Sequence, residues 1–235
     1  MKVLLICDDY HHPAQIPIDG TAPLEKCGFQ FDIITNANDF SSHTFKSLLE
    51  KYPVVLLCKL DEISSADRQS WKNERIQKTF IDYVENGGGL TAVHSGIVQG
   101  KNTDALDRLI GCRFAGHPNE CPVTVHAIKP HPVTEGVNPF CEVDEHYRVE
   151  IISPDADILL ASYSAAQGEE SKYKEEPYYN CPAAICPAGF VRTQGKGRIC
   201  VLTPGHKLEV WHNVNFQRLL MNALNWCAYS EYRIS

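Results

Sequence analysis

The N-terminal half of the chain alternates between short, wholly apolar runs and longer amphipathic segments. Short apolar runs are typical of strands covered on both faces, and amphipathic segments are typical of surface helices. The runs predict strands at Lys2–Cys7, Gln30–Ile34, Val54–Cys58 and 90–93. The amphipathic segments predict helices that end near Cys27, run from Ser42 to about 51 and from about 70 to Glu85, and span Asp104–Ile110. This alternation predicts a parallel sheet with helices on both faces.

The second half has a different pattern, with several strands and few helices between them. Strands are predicted at 123–127, 142–149, 158–162 and 183–188. We expect them to form an antiparallel extension of the sheet, with an exposed loop at the polar stretch 168–179. An apolar strand at 198–203 and an amphipathic helix at 216–228 complete the pattern. The predicted fold is a three-layer α/β domain, mostly parallel with an antiparallel extension, that spans residues 1–235 without a linker.

Composition argues against several classes of partner. Apolar residues make up 43% of the 235 residues and charged residues 22%, which is ordinary for a globular protein. The net charge of −7, without any basic run, argues against nucleic acid. No stretch approaches the roughly 20 apolar residues that cross a bilayer, and no cleavage site follows the apolar start. We therefore expect a cytoplasmic protein that binds no membrane. The scattered cysteines form no Cys-x-x-Cys pair, which favours free thiols over disulfides.

Polar side chains that can carry chemistry follow the predicted strands. In open α/β sheets, ligands bind beyond the carboxyl ends of the strands, which lie at one edge. The candidates there are Asp9 and His12 after the first strand, Lys59 and Asp61 after the third, His94 after the fourth and His206 after the strand at 198–203. Two further polar clusters contain His117 and Glu145. Each of these residues, taken alone, could be a helix cap or a solvated loop residue. Because several separate strands place them at the same edge of the sheet, a shared site is favoured.

Residues 87–96 predict a sharp turn at this edge. Three glycines end a helix, four apolar residues form a strand, and His94 is followed by the small residues Ser95 and Gly96. This is the layout of a nucleophile elbow, so we expect the His94 ring to be exposed in a cleft above the sheet. Class I glutamine amidotransferases carry a cysteine at such an elbow, and imidazole does not replace a thiolate in their mechanism. We therefore predict no glutaminase activity.

Taken together, these motifs resemble the ThuA-like family, named for trehalose utilisation. The matching segments are Tyr10-His11-His12, 87–94, 113–118, 131–136, 144–147, 195–206, Trp211 and 222–226. They follow the family's order over nearly the whole chain. The resemblance implies a class I glutamine amidotransferase-like fold without the nucleophilic cysteine. It also implies a role in sugar utilisation, beside an oxidoreductase that generates a keto-sugar.

Two classes of function stay open on the sequence. The first is an enzyme that hydrolyses or eliminates a sugar or keto-sugar glycoside, because a keto group acidifies the neighbouring C–H and a histidine or carboxylate can remove that proton. In this hypothesis the catalytic residues are His94, Glu145 and His206. The substrate-binding residues are Asp9, His12, Lys59, Asp61, His117 and Trp211. The second is a non-catalytic protein that binds a sugar or a partner on a degenerate amidotransferase fold. A residual amidotransferase with a remote cysteine is a third and disfavoured hypothesis.

The same histidines predict a metal site. Neutral imidazoles with one carboxylate suit zinc, manganese or iron, and such a cation polarises a carbonyl group. The candidate ligands are His12, His94, His117 and His206. No His-Glu-x-x-His motif supports them, so the hypothesis depends on their convergence with Glu145 in one pocket. No nucleotide cofactor is expected, and the sequence leaves a homo-oligomer open.

Overall fold

A parallel sheet forms the N-terminal half of the protein, as predicted. The structure is a computed structural model that describes residues 1–39, 42–164 and 185–229. The strands are β1 (Lys2–Cys7), β2 (Gln30–Ile34), β3 (Val54–Cys58) and β4 (Gly89–Val93). They lie in the order β2-β1-β3-β4, and each neighbouring pair is parallel. Their carboxyl ends therefore meet at one edge, where the loops after β1, β3 and β4 lie close together.

The sheet continues into an antiparallel extension, which was also predicted. The further strands are β5 (Cys112–Gly116), β6 (Cys121–Ala127), β7 (Phe140–Asp144), β8 (Arg148–Ile151), β9 (Asp157–Ser164), β10 (Cys186–Gln194) and β11 (Gly197–Leu202). Strand β11 lies parallel to β4, and β10, β9, β6 and β7 follow it in antiparallel pairs to give a nine-stranded sheet. Strands β5 and β8 pair separately. Because β11 lies beside β4, the loops that follow these two strands are neighbours.

Helices cover both faces of the sheet. Helices α1 (Gln15–Glu25), α5 (Leu208–His212) and α6 (Val214–Ala228) pack on one face. Helices α2 (Ser42–Leu49), α3 (Glu74–Glu85) and α4 (Asp104–Ile110) pack on the other. Within β1, Val3 and Leu5 face the first core, whereas Leu4 and Ile6 face the second, and all are at most 1% exposed. Full burial of such a side chain contributes about 1.5–3 kcal/mol to stability. The two cores therefore fix the positions of the strands, and with them the starting points of the loops at the carboxyl edge.

The predicted strand at 142–149 is wrong, because the chain breaks there into two strands. Strand β7 ends at Asp144, and β8 begins at Arg148 in the separate ribbon with β5. No glycine or proline marks the break, and β5 was not predicted at all. The break places Glu145 at the edge of the large sheet instead of inside a strand.

Other boundaries differ less. Helix α3 begins at Glu74 instead of near residue 70, because the Asn73 side chain caps it by accepting the backbone N–H groups of Arg75 and Ile76. The strand predicted at 183–188 is described from Cys186 onward and continues to Gln194. The loop predicted at 168–179 lies outside the described residues.

Two expectations from composition can also be compared with the structure. Within residues 1–39, 42–164 and 185–229, no helix is long and apolar enough to cross a membrane. The nine cysteines described are free thiols, and all but Cys27 and Cys141 are buried. They are used as small core side chains, as their scatter along the chain indicates.

Candidate functional site

The structure brings four candidate residues together at the carboxyl edge of the sheet. His12 follows β1, His94 follows β4, His206 follows β11, and Glu145 lies in the break after β7. Each offers one ring nitrogen or carboxylate oxygen, and these four atoms all lie within 4.8 Å of one another. Four segments that are far apart in the sequence thus form one cluster, which we call the His3Glu cluster.

His94 lies at a strand-to-helix turn of the predicted kind, with a left-handed backbone φ of 48°. This conformation costs a non-glycine residue about 1–2 kcal/mol. Gly96 is required in the turn, because a Cβ there would collide with the carbonyl of Leu57. The expectation of an exposed ring is wrong: His94 is only 2% exposed, and the Tyr147 ring stacks on it at 3.8 Å between centroids. Its Nδ1–H donates to the carbonyl of Thr203 at 2.8 Å, so Nε2 faces the cluster.

Asp9 fixes the orientation of His12. Its carboxylate lies 2.7 Å from Nδ1 of His12 and also accepts the backbone N–H groups of His12 and Leu60. Burial raises the pKa of Asp9, but the hydrogen bond and charge of His12, together with the backbone N–H groups, outweigh this and lower it. Asp9 is fully buried, so its position favours a role in orienting His12 over the predicted contact with substrate.

Asp144, which had no predicted role, positions the loop that carries His206. Its two carboxylate oxygens accept the backbone N–H groups of Gly205 and His206, each at 2.9 Å. The carbonyl of Gly205 in turn accepts the indole N–H of Trp211 at 2.8 Å. Burial raises the pKa of Asp144 to about 7, against the opposing effect of the two N–H donors. The only sequence signal for this role is an aspartate at the end of an apolar strand, which does not reveal the loop it contacts.

Glu145 is the central residue of the site. Its Oε2 lies 3.3 Å from Nε2 of His94, 3.3 Å from Nδ1 of His206 and 3.5 Å from Nε2 of His117. Burial raises the pKa of Glu145, but the imidazoles around it, His94 foremost, outweigh this in their protonated forms and lower it to about 2. His117 lies outside the His3Glu cluster, and its Nδ1–H donates to the Pro118 carbonyl at 2.8 Å. Three of the four predicted metal ligands are thus grouped, and the fourth lies beside the carboxylate.

The cluster consists of hydrogen-bond acceptors that face one another. A carbonyl oxygen cannot donate, so the Nδ1 atom of His94 carries the proton and its Nε2 is bare in the neutral ring. Burial lowers the pKa of His94 to about 4, so this ring is neutral at pH 7. The buried Nε2 atoms of His12 and His94 and the Nδ1 atom of His206 have no hydrogen-bond partner. Lone pairs that converge on a carboxylate are costly unless a cation lies among them, which makes the cluster suited to hold a metal ion or protons.

Three other predicted substrate-binding residues have contacts that favour a structural role. Lys59 is fully buried, and its ammonium group donates to three backbone carbonyls near the ends of β1 and β2. Asp61 accepts the backbone N–H groups of Trp71 and the residue after it. Trp211 lies beneath the loop of His206, with its ring against Phe216 at 5.4 Å. Lys59 and Asp61 follow β3, as predicted, and Trp211 lies in α5, but all three side chains turn into the scaffold.

The fold and the site define an open α/β protein with a polar centre on its strand ends and a histidine at the turn after β4. The chain belongs to the ThuA family, because the model of that family, described as trehalose utilisation, matches residues 2–227. Similar solved structures include a ThuA-like protein from Bacteroides uniformis, with 22% identity and a TM-score of 0.69 over 97% of this chain and 91% of that chain. Another, from Parabacteroides merdae, has 20% identity and a TM-score of 0.70 over 97% and 90%. The predicted family and fold class are confirmed.

The fold also matches part of a larger protein. A β-galactosidase from Rahnella sp. R3 has 15% identity and a TM-score of 0.58, over 95% of this chain and 31% of that chain. At these identities the structural likeness shows the fold alone. The chain matches none of the curated proteins with which it was compared.

Proposed function

We propose that the protein is a metal-dependent enzyme of sugar utilisation that acts on a sugar or keto-sugar glycoside by hydrolysis or elimination. The observation that carries the proposal is the convergence of three buried imidazole nitrogens, each without a hydrogen-bond partner, on the carboxylate of Glu145. The sugar as ligand is supported by the description of the family, trehalose utilisation.

The geometry of the His3Glu cluster supports a small divalent cation. Ligands bound about 2.0–2.1 Å from a tetrahedral zinc lie about 3.4 Å from one another. Oε2 of Glu145 lies 3.3 Å from the nearest nitrogen of both His94 and His206. These distances are longer than the 2.7 Å hydrogen bond between His12 and Asp9 and match ligands around one ion. Metal-bound histidines commonly donate their other ring N–H to a carboxylate, as His12 does to Asp9.

The ligand types leave zinc, manganese and iron as the candidate metals. When bound, such a cation supplies charge that polarises a carbonyl oxygen of the substrate. His117 is the residue placed to move a proton. Its Nε2 is bare in the neutral ring, because Nδ1 donates to Pro118, and it lies beside the cluster at 3.5 Å from Glu145. It would accept the proton from the carbon next to the keto group. A C=C bond then forms as the C–O bond to the departing sugar breaks, and the protonated His117 would return its proton to the departing oxygen.

Metal content and thermal stability test the metal. We expect about one divalent metal ion per purified chain by elemental analysis, and a melting temperature that falls on addition of a chelator. The variants His94→Ala and His206→Gln should lose both the metal and the chelator effect. His126→Ala is the matched control, because His126 lies on β6, outside the site, where its ring contacts Tyr163 of β9. If elemental analysis finds no metal, and neither chelator nor added metal changes the melting temperature, the metal site is rejected and direct sugar binding is favoured.

A non-catalytic sugar-binding protein is the second candidate. It is favoured by the same bare nitrogens, since each could accept a sugar hydroxyl directly. The two functions differ in deuterium oxide. An enzyme that removes the C–H proton should exchange the hydrogen next to the carbonyl of a keto-glucoside, which proton NMR detects, and His117→Gln should slow this exchange while keeping the metal. Binding without exchange would support the non-catalytic function.

A further inference from the structure

Two histidines of the site pack against the same aromatic ring. The centroid of the Tyr147 ring lies 3.8 Å from that of His94 and 5.4 Å from that of His117, with interplanar angles of 27° and 21°. The three rings are therefore nearly parallel. Tyr147 is only 3% exposed, so its ring faces protein groups and does not contact a ligand directly.

The backbone explains why Tyr147 lies beside these groups. Strands β5 and β8 pair with Gly116 opposite Arg148, which places His117, just after β5, next to Tyr147, just before β8. The backbone N–H of Tyr147 also donates to the carbonyl of Glu145 at 2.8 Å. A strand pairing and a tight turn thus set the position of the tyrosine relative to the central carboxylate, without help from the histidine side chains.

The stacked ring restrains the histidines in a way that their hydrogen bonds do not. His94 and His117 each donate Nδ1–H to a backbone carbonyl, which fixes one atom of the ring but leaves the plane free to tilt. A tilt displaces Nε2, which is the atom that faces Glu145 in both residues. A flat ring packed on an imidazole limits this tilt. Phe114 lies 4.5 Å from the Tyr147 ring and supports it in turn.

We propose that Tyr147 is a positioning residue that sets the ring planes of His94 and His117 together and so holds their Nε2 atoms in a fixed relation around Glu145. The proposal rests on the proposed function, in which His94 binds the cation and His117 moves a proton. A displacement of about 1 Å in a reacting group can lower a rate about 100-fold. One buried ring would therefore serve both metal binding and proton transfer.

The variant Tyr147→Leu tests this role through two separate readouts. Cobalt(II) reports on His94, because its visible absorption spectrum depends on the geometry of the ligands. We expect an altered spectrum and a cobalt affinity that falls roughly tenfold. Deuterium exchange into a keto-glucoside, measured with the metal saturating, reports on His117. We expect its maximal rate to fall roughly tenfold or more, with little change in the substrate concentration at half-maximal rate.

Two further variants separate positioning from a general loss of packing. Tyr147→Phe keeps the ring and should retain the wild-type values of both readouts. Phe190→Leu is the matched control, because Phe190 is a buried aromatic residue of the same core that lies outside the cluster. It should lower the melting temperature but leave the cobalt spectrum and the exchange rate unchanged.

Proton NMR of the zinc-loaded wild type gives a test that does not depend on the folding of any variant. The carbon-bound ring protons of His94 and His117 should both be shifted upfield, because these rings lie against the face of Tyr147. The proposal is wrong if these shifts are absent, if Tyr147→Leu behaves like Phe190→Leu, or if only one of the two readouts changes. In each case, metal binding and exchange by the wild type would leave the proposed function standing. A wild type with neither metal nor exchange would reject both.

Discussion

At the scale of single residues, function depends on which nitrogen of each histidine carries the proton. His94 and His117 each donate Nδ1–H to a backbone carbonyl, and His12 directs Nδ1 at a carboxylate. The backbone and Asp9 thereby point three Nε2 atoms toward one place. A sequence reveals the histidines but not these tautomers. The partner of His94, Thr203, is 109 residues away, and the local partner of His12, Asp9, could equally cap the next helix.

Asp9→Asn tests the orienting role of the buried carboxylate. The change keeps the shape of the side chain but removes the charge that holds Nδ1–H of His12. We expect metal affinity to fall about 10-fold to 100-fold, as is typical when the carboxylate that orients a metal-bound histidine is lost. Competition with a chromogenic chelator measures the affinity. Asp19→Asn, on the exposed side of α1, should leave it unchanged, and equal affinities in all three proteins would contradict the role.

At the scale of elements, the largely apolar strands β1, β3 and β4 made the parallel sheet predictable. Burial on both faces favours apolar residues at nearly every position, and few other structures share that pattern. The break between β7 and β8 was not predictable in this way, because no glycine or proline marks it and pairing with β5 decides where the chain leaves the sheet. Glu145 was found as a member of a polar cluster, whereas the role of Asp144 depends on the distant Gly205 loop.

Gly96→Ala tests the turn that presents His94. The added Cβ would collide with the backbone carbonyl of Leu57, which no side-chain movement relieves. We expect the free energy of unfolding to fall by about 3 kcal/mol, measured by urea denaturation. Gly28→Ala is the matched control. Gly28 has a positive φ of 87°, unlike Gly96, but nothing lies within 4 Å of the added atom, so the loss should be only about 1 kcal/mol. Similar losses in the two variants would contradict the close packing of the turn.

At the scale of the whole molecule, the site links protonation to stability. Burial lowers the pKa of His94 from 6.5 to about 4, and it also lowers the pKa of His206. In the metal-free protein, the unfolded chain therefore binds protons below pH 6.5 that the folded chain does not accept until lower pH. At these two histidines the unfolded state holds more protons across this window, so their contribution to stability is lost as the pH falls from 6.5 toward 4.

The contribution of His94 to the stability of the chelator-treated protein should decrease by about 3 kcal/mol between pH 7 and pH 4. Asp144 acts in the opposite direction, because its pKa is raised to about 7 and the folded state therefore holds a proton there that the unfolded state releases. Urea denaturation of the wild type and of His94→Gln at several pH values isolates the His94 contribution as the difference between the two proteins. The pKa of Glu145 is lowered to about 2, so its contribution to stability is lost only as the pH falls below 4.5, at the lower end of this range. The variant His94→Gln should show a shallower dependence, and an unchanged slope would mean that the ring is not buried in its neutral form.

The route of the chain through the site has a consequence for assembly. His12 lies near one end of the chain and His206 near the other, and strand β11 must insert beside β4 before they meet. A cation bound by both would close almost the entire polypeptide into one loop, and long closures restrict an unfolded chain most. An intermediate with only the N-terminal strands in place could offer His12 and His94 but neither His206 nor Glu145. The complete ligand set would therefore exist only in the native fold, and the bound ion would stabilise the native state over every partly folded intermediate.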